Sequence, residues 1–270
     1  MSRPLFSCVV PVKGPRPYFD EAVASLVNQR LGDDLEIIVQ DGTTEHTEYT
    51  ETLDVVDGNV KWFREADCGQ SDALNKGFAK ATGEWFFWLN ADDVLLPGAL
   101  KKVVNRVKNL GHVEWVAGNQ LLVDDKGNVL KSSVGNGWHD WLYRHAVPHV
   151  YGPSSFFRRE LFERVGGFDV LLKYCMDWDL WIKFMKSGAR FERIGEYLWA
   201  QRQWIGSKTQ RKLSKEEFDV QQAEIRAMLE TNGVYVTISG VWLNRMWRML
   251  NGNYAKECCD TFRMKGKCVG

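Results

Sequence analysis

No stretch of about 18 apolar residues runs through this 270-residue chain, so no segment reads as a helix that crosses a membrane. Net charge is missing too, since 35 Lys and Arg stand against 35 Asp and Glu with no basic block among them. Without a positive field the chain has no general attraction for nucleic acid, and any anionic ligand must be gripped locally. The six cysteines, Cys8, Cys68, Cys175, Cys258, Cys259 and Cys268, form no CxxC pair. Met1-Ser2-Arg3-Pro4 leads into a strand-like run and not into a secretory apolar core, so reduced thiols and a cytoplasmic location are expected. Zinc spacing is absent: His46, His112, His139, His145 and His149 supply no pair on one helix with a Glu between, and the four-residue step from His145 to His149 crosses Pro148. No internal repeat or low-complexity segment occurs.

What is present starts with Phe86-Phe87-Trp88-Leu89-Asn90-Ala91-Asp92-Asp93, an apolar run ending in two adjacent carboxylates before Pro97. Carboxylates at a strand exit sit where α/β proteins collect ligands, and such oxygen pairs suit Mg²⁺ or Mn²⁺ on a phosphate. The competing expectation is that Asp92 or Asp93 caps the helix that opens near Pro97.

Short apolar runs alternate with helical patterns through the first third. Leu5 to Val12, Leu35 to Val39, Val60 to Phe63 and Trp85 to Leu89 read as strands, and Phe19 to Gln29 and Ser71 to Lys80 as helices. This rhythm predicts a mostly parallel sheet flanked by helices, with its ligand beyond the carboxyl ends of Val12, Gln40 and Leu89. Asp41, beside Gly42 at one such end, reads either as an acceptor for a base or ribose or as a turn residue. Asp67, Asp72 and Asn75 surround another strand-to-helix turn, as a polar cluster on the same crevice or as an ordinary helix start.

Farther on, Val113 to Val123 and Val129 to Ser133 flank Asp125-Lys126-Gly127-Asn128 as a hairpin, and Gly135 to Gly152 is loop-rich. Trp178 to Lys186 reads as a helix and Phe191 to Arg202 as a strand. From Ser214 the pattern is helical to the end, with Ser214 and Glu217 as a capping box. Along the helix of Val241 to Leu250, Asn244, Arg245 and Arg248, with Asn251 just after it, share a face and large apolar residues fill the rest. Such a helix lies on a membrane, meets a second subunit, or packs on its own protein, the last being expected because an apolar stripe usually covers a core.

Together these segments resemble glycosyltransferase family 2, the inverting transferases with a GT-A fold, over most of residues 5 to 209. The resemblance rests on Ser7 to Lys13, Ser25 to Gln29, Glu36 to Thr44, Asp67 to Gly77 and Thr82 to Asp93, in that order and spacing. It implies a Rossmann-like, mostly parallel mixed sheet: a catalytic unit over 1–210, divided into a nucleotide-binding half (1–110) and an acceptor-side half (111–210), then a helical extension over 211–270. It implies a base-binding front at Pro11 and Val12, Asp41 on the nucleobase, and Asp67, Asp72 and Asn75 near the nucleoside. Asp92 is implied at the ribose or metal and Asp93 as the ligand of Mn²⁺ or Mg²⁺ on the diphosphate. Gly166 to Trp181 resembles the family's GGFDE and ED segments and makes Asp177 the expected base, with Asp179 second. Trp178 and Trp181 read as a sugar platform or, as aromatics at helical spacing more often do, as core.

The sequence departs from the family at three positions. Asn90 stands where many relatives have the first Asp of Asp-x-Asp, and Met176 where Glu is usual. Trp204 stands where many have a metal-binding His, within the Arg202 to Thr209 loop whose Arg202 and Lys208 are expected on the diphosphate. The implied activity is metal-dependent transfer of a sugar from a nucleotide-diphosphate donor, most simply UDP-linked, to a hydroxyl on a glycan or lipid-linked glycan. Peripheral contact with the inner face of the membrane and homodimer formation fit the tail. The rival expectations are a GT-A-like protein that binds nucleotide or glycan without turnover, and a nucleotidyltransferase. The second lacks a Gly-rich basic loop after the first strand, having only Lys13-Gly14-Pro15-Arg16.

Overall fold

The computed structural model describes residues 3–44, 60–108, 111–137, 144–145, 149–207 and 213–269. Four parallel strands carry the first half: β1 (Phe6–Val12), β2 (Leu35–Asp41), β3 (Val60–Arg64) and β4 (Trp85–Trp88). Nearly every residue of β1 and β2 is buried, as a sheet covered on both faces requires. On one face Cys8, Val10 and Phe87 meet α1 (Phe19–Val27) and α3 (Ala99–Val107). On the other, Val9, Ile38 and Trp88 meet α2 (Gln70–Lys80) and α5 (Met176–Lys186), the period-2 alternation dividing one strand between two cores.

The second half joins the same sheet. The remaining strands are β5 (Val94–Leu95), β6 (Trp115–Val123), β7 (Val129–Ser133), β8 (Ser155–Arg158) and β9 (Phe191–Arg202). The order is β3-β2-β1-β4-β8-β6-β9-β5, with β7 on β6, so strands on both sides of residue 110 share one mixed sheet. β6 and β7 form the expected hairpin. Asp124 closes its turn by accepting from the amides of Lys126 and Asn128 at 2.9 and 2.7 Å.

Two alternatives that the sequence leaves open are decided here. Between Asp93 and Pro97 the chain forms β5, which crosses to the far edge and pairs antiparallel with β9. α3 therefore begins after Gly98, and neither Asp92 nor Asp93 caps it. Trp181 is 1% exposed and lies between Trp88 and Trp115, ring centroids 5.9 and 4.7 Å away. Trp178 is half-buried against the same cluster, so both belong to the core.

After α4 (Arg159–Arg164), α5 and β9, the chain ends in α6 (Lys215–Asn232), α7 (Ile238–Leu250) and α8 (Asn253–Met264). The Ser214–Glu217 capping box opens α6 as expected. The tail is not helical to its end: beyond α8, Val129 and Lys267 are joined by a backbone hydrogen bond of 2.9 Å and Gly127 and Val269 by one of 3.0 Å, laying the terminus along the hairpin. Among the described residues no helix is long and apolar enough to cross a membrane.

Candidate active site

A cleft of about 930 Å³ opens where β1 and β4 end, as the strand rhythm requires of an α/β sheet. Pro11, Val12, Asp67, Asp92, Asp93 and Asp177 all border it, so carboxylates from three distant segments converge on one space. Lys13 and Arg16, in the loop after β1, and Lys173, before α5, bring cations to the same walls.

The adjacent carboxylates Asp92 and Asp93 have different surroundings. Asp92 is half-buried and its Oδ2 accepts from the Trp204 indole N–H at 2.9 Å. Asp93 is 2% exposed, its Oδ1 accepting from the Arg202 amide at 2.9 Å and its Oδ2 from the Asn90 side chain at 2.7 Å. Burial, and then the neighbouring Asp92 charge, push the Asp93 carboxyl up to about 8. Burial thus disfavours the charged form of Asp93. The expected metal ligand is turned inward, and Asn90 acts as its tether.

Asp67 faces the cleft, and its carboxylate fills the space that a side chain at residue 42 would take, so any residue larger than Gly42 would displace it. Asp41, one residue before, is fully buried behind that wall: its Oδ1 accepts from the amide and hydroxyl of Thr43, and its Oδ2 pairs with Arg64 Nε at 3.1 Å. Asp41 therefore holds the Gly42 turn and does not present its carboxylate to a nucleobase. Asp72 and Asn75 likewise do not border the cleft. Asp72 accepts from the Cys68 amide at 2.9 Å and pairs with Lys76 at 3.0 Å, the ordinary helix start. Asn75 exchanges two hydrogen bonds with the backbone of Phe168, at 2.8 and 3.0 Å, and so fixes the chain entering α5.

Arg202 borders the cleft, yet its guanidinium is committed elsewhere. It reaches Glu21 at 2.5 Å, the carbonyls of Asp92 and Asp125 at 3.2 and 3.1 Å, and sits 4.2 Å over the Tyr18 ring. At 2% exposure it is a strut between the Asp92 turn, α1 and the hairpin, not the diphosphate contact expected of it. Lys208 lies outside the described residues.

Asp177 stands in the first turn of α5 and lines the cleft half-buried, its Oδ1 accepting from the Trp178 amide at 2.9 Å. Asp179 points the other way, 4% exposed and paired with Lys183 at 2.7 Å. Sequence reasoning missed what steadies this loop. Glu224 of α6 accepts from the amides of Lys173, Tyr174 and Cys175 at 3.0, 2.6 and 3.1 Å. Burial would raise the Glu224 carboxyl, but those donors outweigh it and hold the group below its ordinary value. Nothing local in the sequence marks a partner some fifty residues away, whereas Lys13 and Arg16 were visible as cations just past a strand end.

Among the described residues no group of three His, Cys, Asp or Glu gathers into a protein cage for a metal. The donor chemistry fits Mg²⁺ or Mn²⁺ of the kind that takes one carboxylate from protein and its other ligands from a diphosphate and water. Asp92 is the carboxylate so placed.

A family model described as glycosyl transferase family 2 matches residues 7–166, more than half of the chain. The chain belongs to glycosyl transferase family 2. The chain is 31% identical over 196 residues to an uncharacterized glycosyltransferase of Rickettsia prowazekii (strain Madrid E), covering 68% of this chain and 59% of that protein. It is 26% identical over 207 residues to a PGL/p-HBAD biosynthesis glycosyltransferase of Mycobacterium bovis (strain BCG / Pasteur 1173P2), covering 72% and 74%. The chain spans 32% and 59% of the lengths of two further rickettsial relatives, from R. felis and R. typhi. Its fold matches that of residues 1–349 of S. aureus TarS, solved in complex with UDP-GlcNAc, with a TM-score of 0.58 at 18% identity, covering 83% of this chain and 65% of that one. The mixed sheet with its helices is thus a GT-A-type fold.

Proposed function

We propose that this family 2 glycosyltransferase moves a sugar, with inversion, from a UDP-linked donor to a hydroxyl on a glycan or lipid-linked glycan, working in the cytoplasm. The observation that carries the reading is the joint presence of Asp92 and Asp177 on one cleft at the ends of β1 and β4. TarS, similar in fold alone, is solved with UDP-GlcNAc, which supports uridine as the nucleoside.

In this reading Pro11, Val12 and Asp67 line the nucleoside end, with Asp41 setting the turn beneath it. Asp92 holds Mn²⁺ or Mg²⁺, a role transferred from Asp93 because the Asp93 oxygens are already occupied inside the protein. The cation, when bound, offsets the charge that grows on the leaving diphosphate. Lys13, Arg16 and Lys173 add positive charge on the same walls. Asp177 takes the proton of the acceptor hydroxyl as that oxygen attacks the anomeric carbon opposite the diphosphate. Glu224 and Asn75 keep the loop before α5 in place so that this carboxylate stays on the cleft.

The test pairs binding with turnover. Asp177→Asn should leave the Kd for UDP within about twofold while lowering Mn²⁺-dependent transfer or slow donor hydrolysis by about 10²-fold or more, as loss of a general base does. Equal loss of both would remove Asp177 from that role. One observation favours a second reading, a nucleotide-binding protein with little turnover: the Trp204 indole already occupies one Asp92 oxygen. Tight UDP binding with no hydrolysis of any UDP-sugar would select it.

A further inference from the structure

Helix α7 is seated with its polar side down. Gly240, Asn244 and Arg248, four residues apart, form its buried stripe. Gly240 rests on the His145 carbonyl with no room for a side chain. Asn244 accepts from Asn136 at 2.6 Å, and Arg248 donates to the Val134 carbonyl at 2.8 Å and pairs with Glu257 at 2.6 Å. The expectation that the apolar stripe covers the core is thereby reversed, because the surface beneath offers carbonyls and amides that only polar partners satisfy.

The outward side is apolar. Ile238, Trp242, Leu243, Met246, Met249 and Leu250 are between 44% and 81% exposed, and at about 100° per residue they fall within roughly half the helix circumference. Arg245 stands at the border of this face, its guanidinium 5.8 Å from the Trp242 ring. A contiguous face of this kind on a soluble surface marks an interaction site.

Charge selects the partner. Residues 238–269 hold six cations (Arg245, Arg248, Lys256, Arg263, Lys265, Lys267) and two anions (Glu257, Asp260), a net +4 in a chain that sums to zero. Both anions are engaged within the tail, with Arg248 and Lys256 at 2.6 Å each. Arg245, Arg263, Lys265 and Lys267 are exposed. Two copies joined through this face would set +4 against +4, whereas an anionic lipid surface complements it.

We propose that α7 lies in the headgroup layer of an anionic bilayer, its apolar face inward and the cations of α8 and the terminus on the phosphates. At 13 residues the helix is about 20 Å long, too short to span and suited to lying flat. Its buried stripe holds Val134 to Asn136, and Asn136 in turn bonds the His149 carbonyl at 3.1 Å, next to Val150 to Pro153 on the cleft wall. Docking therefore brings the acceptor side of the cleft to the lipid.

The full chain should float with vesicles of phosphatidylcholine and phosphatidylglycerol at least about tenfold more tightly than with phosphatidylcholine alone, and less tightly in high salt. The double variant Trp242→Gln, Leu250→Gln changes exposed positions only. It should keep the wild-type circular dichroism and UDP affinity yet lose about tenfold or more in vesicle binding. No flotation, equal binding to the two vesicle types, or equal binding of the variant would overturn the proposal. So would a dimer in vesicle-free solution that the variant dissociates. Because UDP binding is read separately, failure here leaves the transferase reading standing, and the reverse holds.

Discussion

Asp92 and Asp93 illustrate how little adjacency in sequence says about role. A turn sends consecutive side chains apart, so one carboxylate enters a pocket of N–H donors and the other meets the cleft. Burial raises the Asp93 carboxyl to about 8, with Asp92's charge adding to the shift, and both Asp93 oxygens already accept hydrogen bonds inside the protein. The pair was legible as an oxygen cluster at a strand end, but which member points outward depends on β5 and β9, whose pairing no local pattern reveals. Trp204 makes the outward member testable. Its indole N–H lies 2.9 Å from Asp92 Oδ2, where it donates a hydrogen bond but offers no lone pair to a metal. Trp204→His places a ligating nitrogen nearby. The concentration of Mn²⁺ giving half-maximal activity should fall about tenfold, equivalent to 1.4 kcal/mol. An unchanged Mn²⁺ requirement would mean that the cation does not bind beside Asp92.

The parallel strands are tied together by one buried carboxylate. Glu36 of β2 accepts from Ser7 of β1 at 2.5 Å, from Lys61 of β3 at 2.7 Å, and from the Thr82 amide before β4 at 2.8 Å, thus linking both neighbouring strands and the segment that enters β4. Burial pushes its carboxyl up, but Lys61, Ser7 and Thr82 together outweigh it and leave it below the ordinary 4.5. A carboxyl lowered by folding adds stability that is present above 4.5 and lost as pH falls through the folded value. Glu36→Gln should therefore cost about 2 kcal/mol at pH 7, or roughly 4–8 °C in Tm, with the gap to wild type narrowing below about pH 4.5. Thermal melts across that range read both effects. Elements with a strong period were plain in the sequence: β9 begins at Phe191 and ends at Arg202 as expected, and Ser214 caps α6. The two-residue β5 was not, since Val94-Leu95 is too short to show a period. For α7, periodicity grouped Asn244 with Arg248 correctly. It gave no sign that this face would be the covered one, because that depends on the carbonyls of a distant loop.

Across the protein as a whole, charge and function are separated. The positive tail, residues 238–269, leaves the remainder at −4 for a total of zero, so the part that carries the cleft exerts no long-range pull on an anionic donor. Donor binding must then come from contacts inside the cleft, and its signature is stabilisation of the native state alone. A ligand at 100 times its Kd adds about 2.7 kcal/mol, which for a chain near this size is about 5–10 °C in Tm. UDP and UDP-sugars should produce such a shift and GDP- and dTDP-sugars a smaller one at equal concentration. If Asp92 holds a cation against the diphosphate, Mn²⁺ and UDP together should raise Tm by more than the sum of their separate shifts. Asp92→Asn should abolish that excess while leaving the shift from UDP alone. An excess that survives in Asp92→Asn would assign the cation to other groups, and a larger shift with GDP would overturn the uridine assignment.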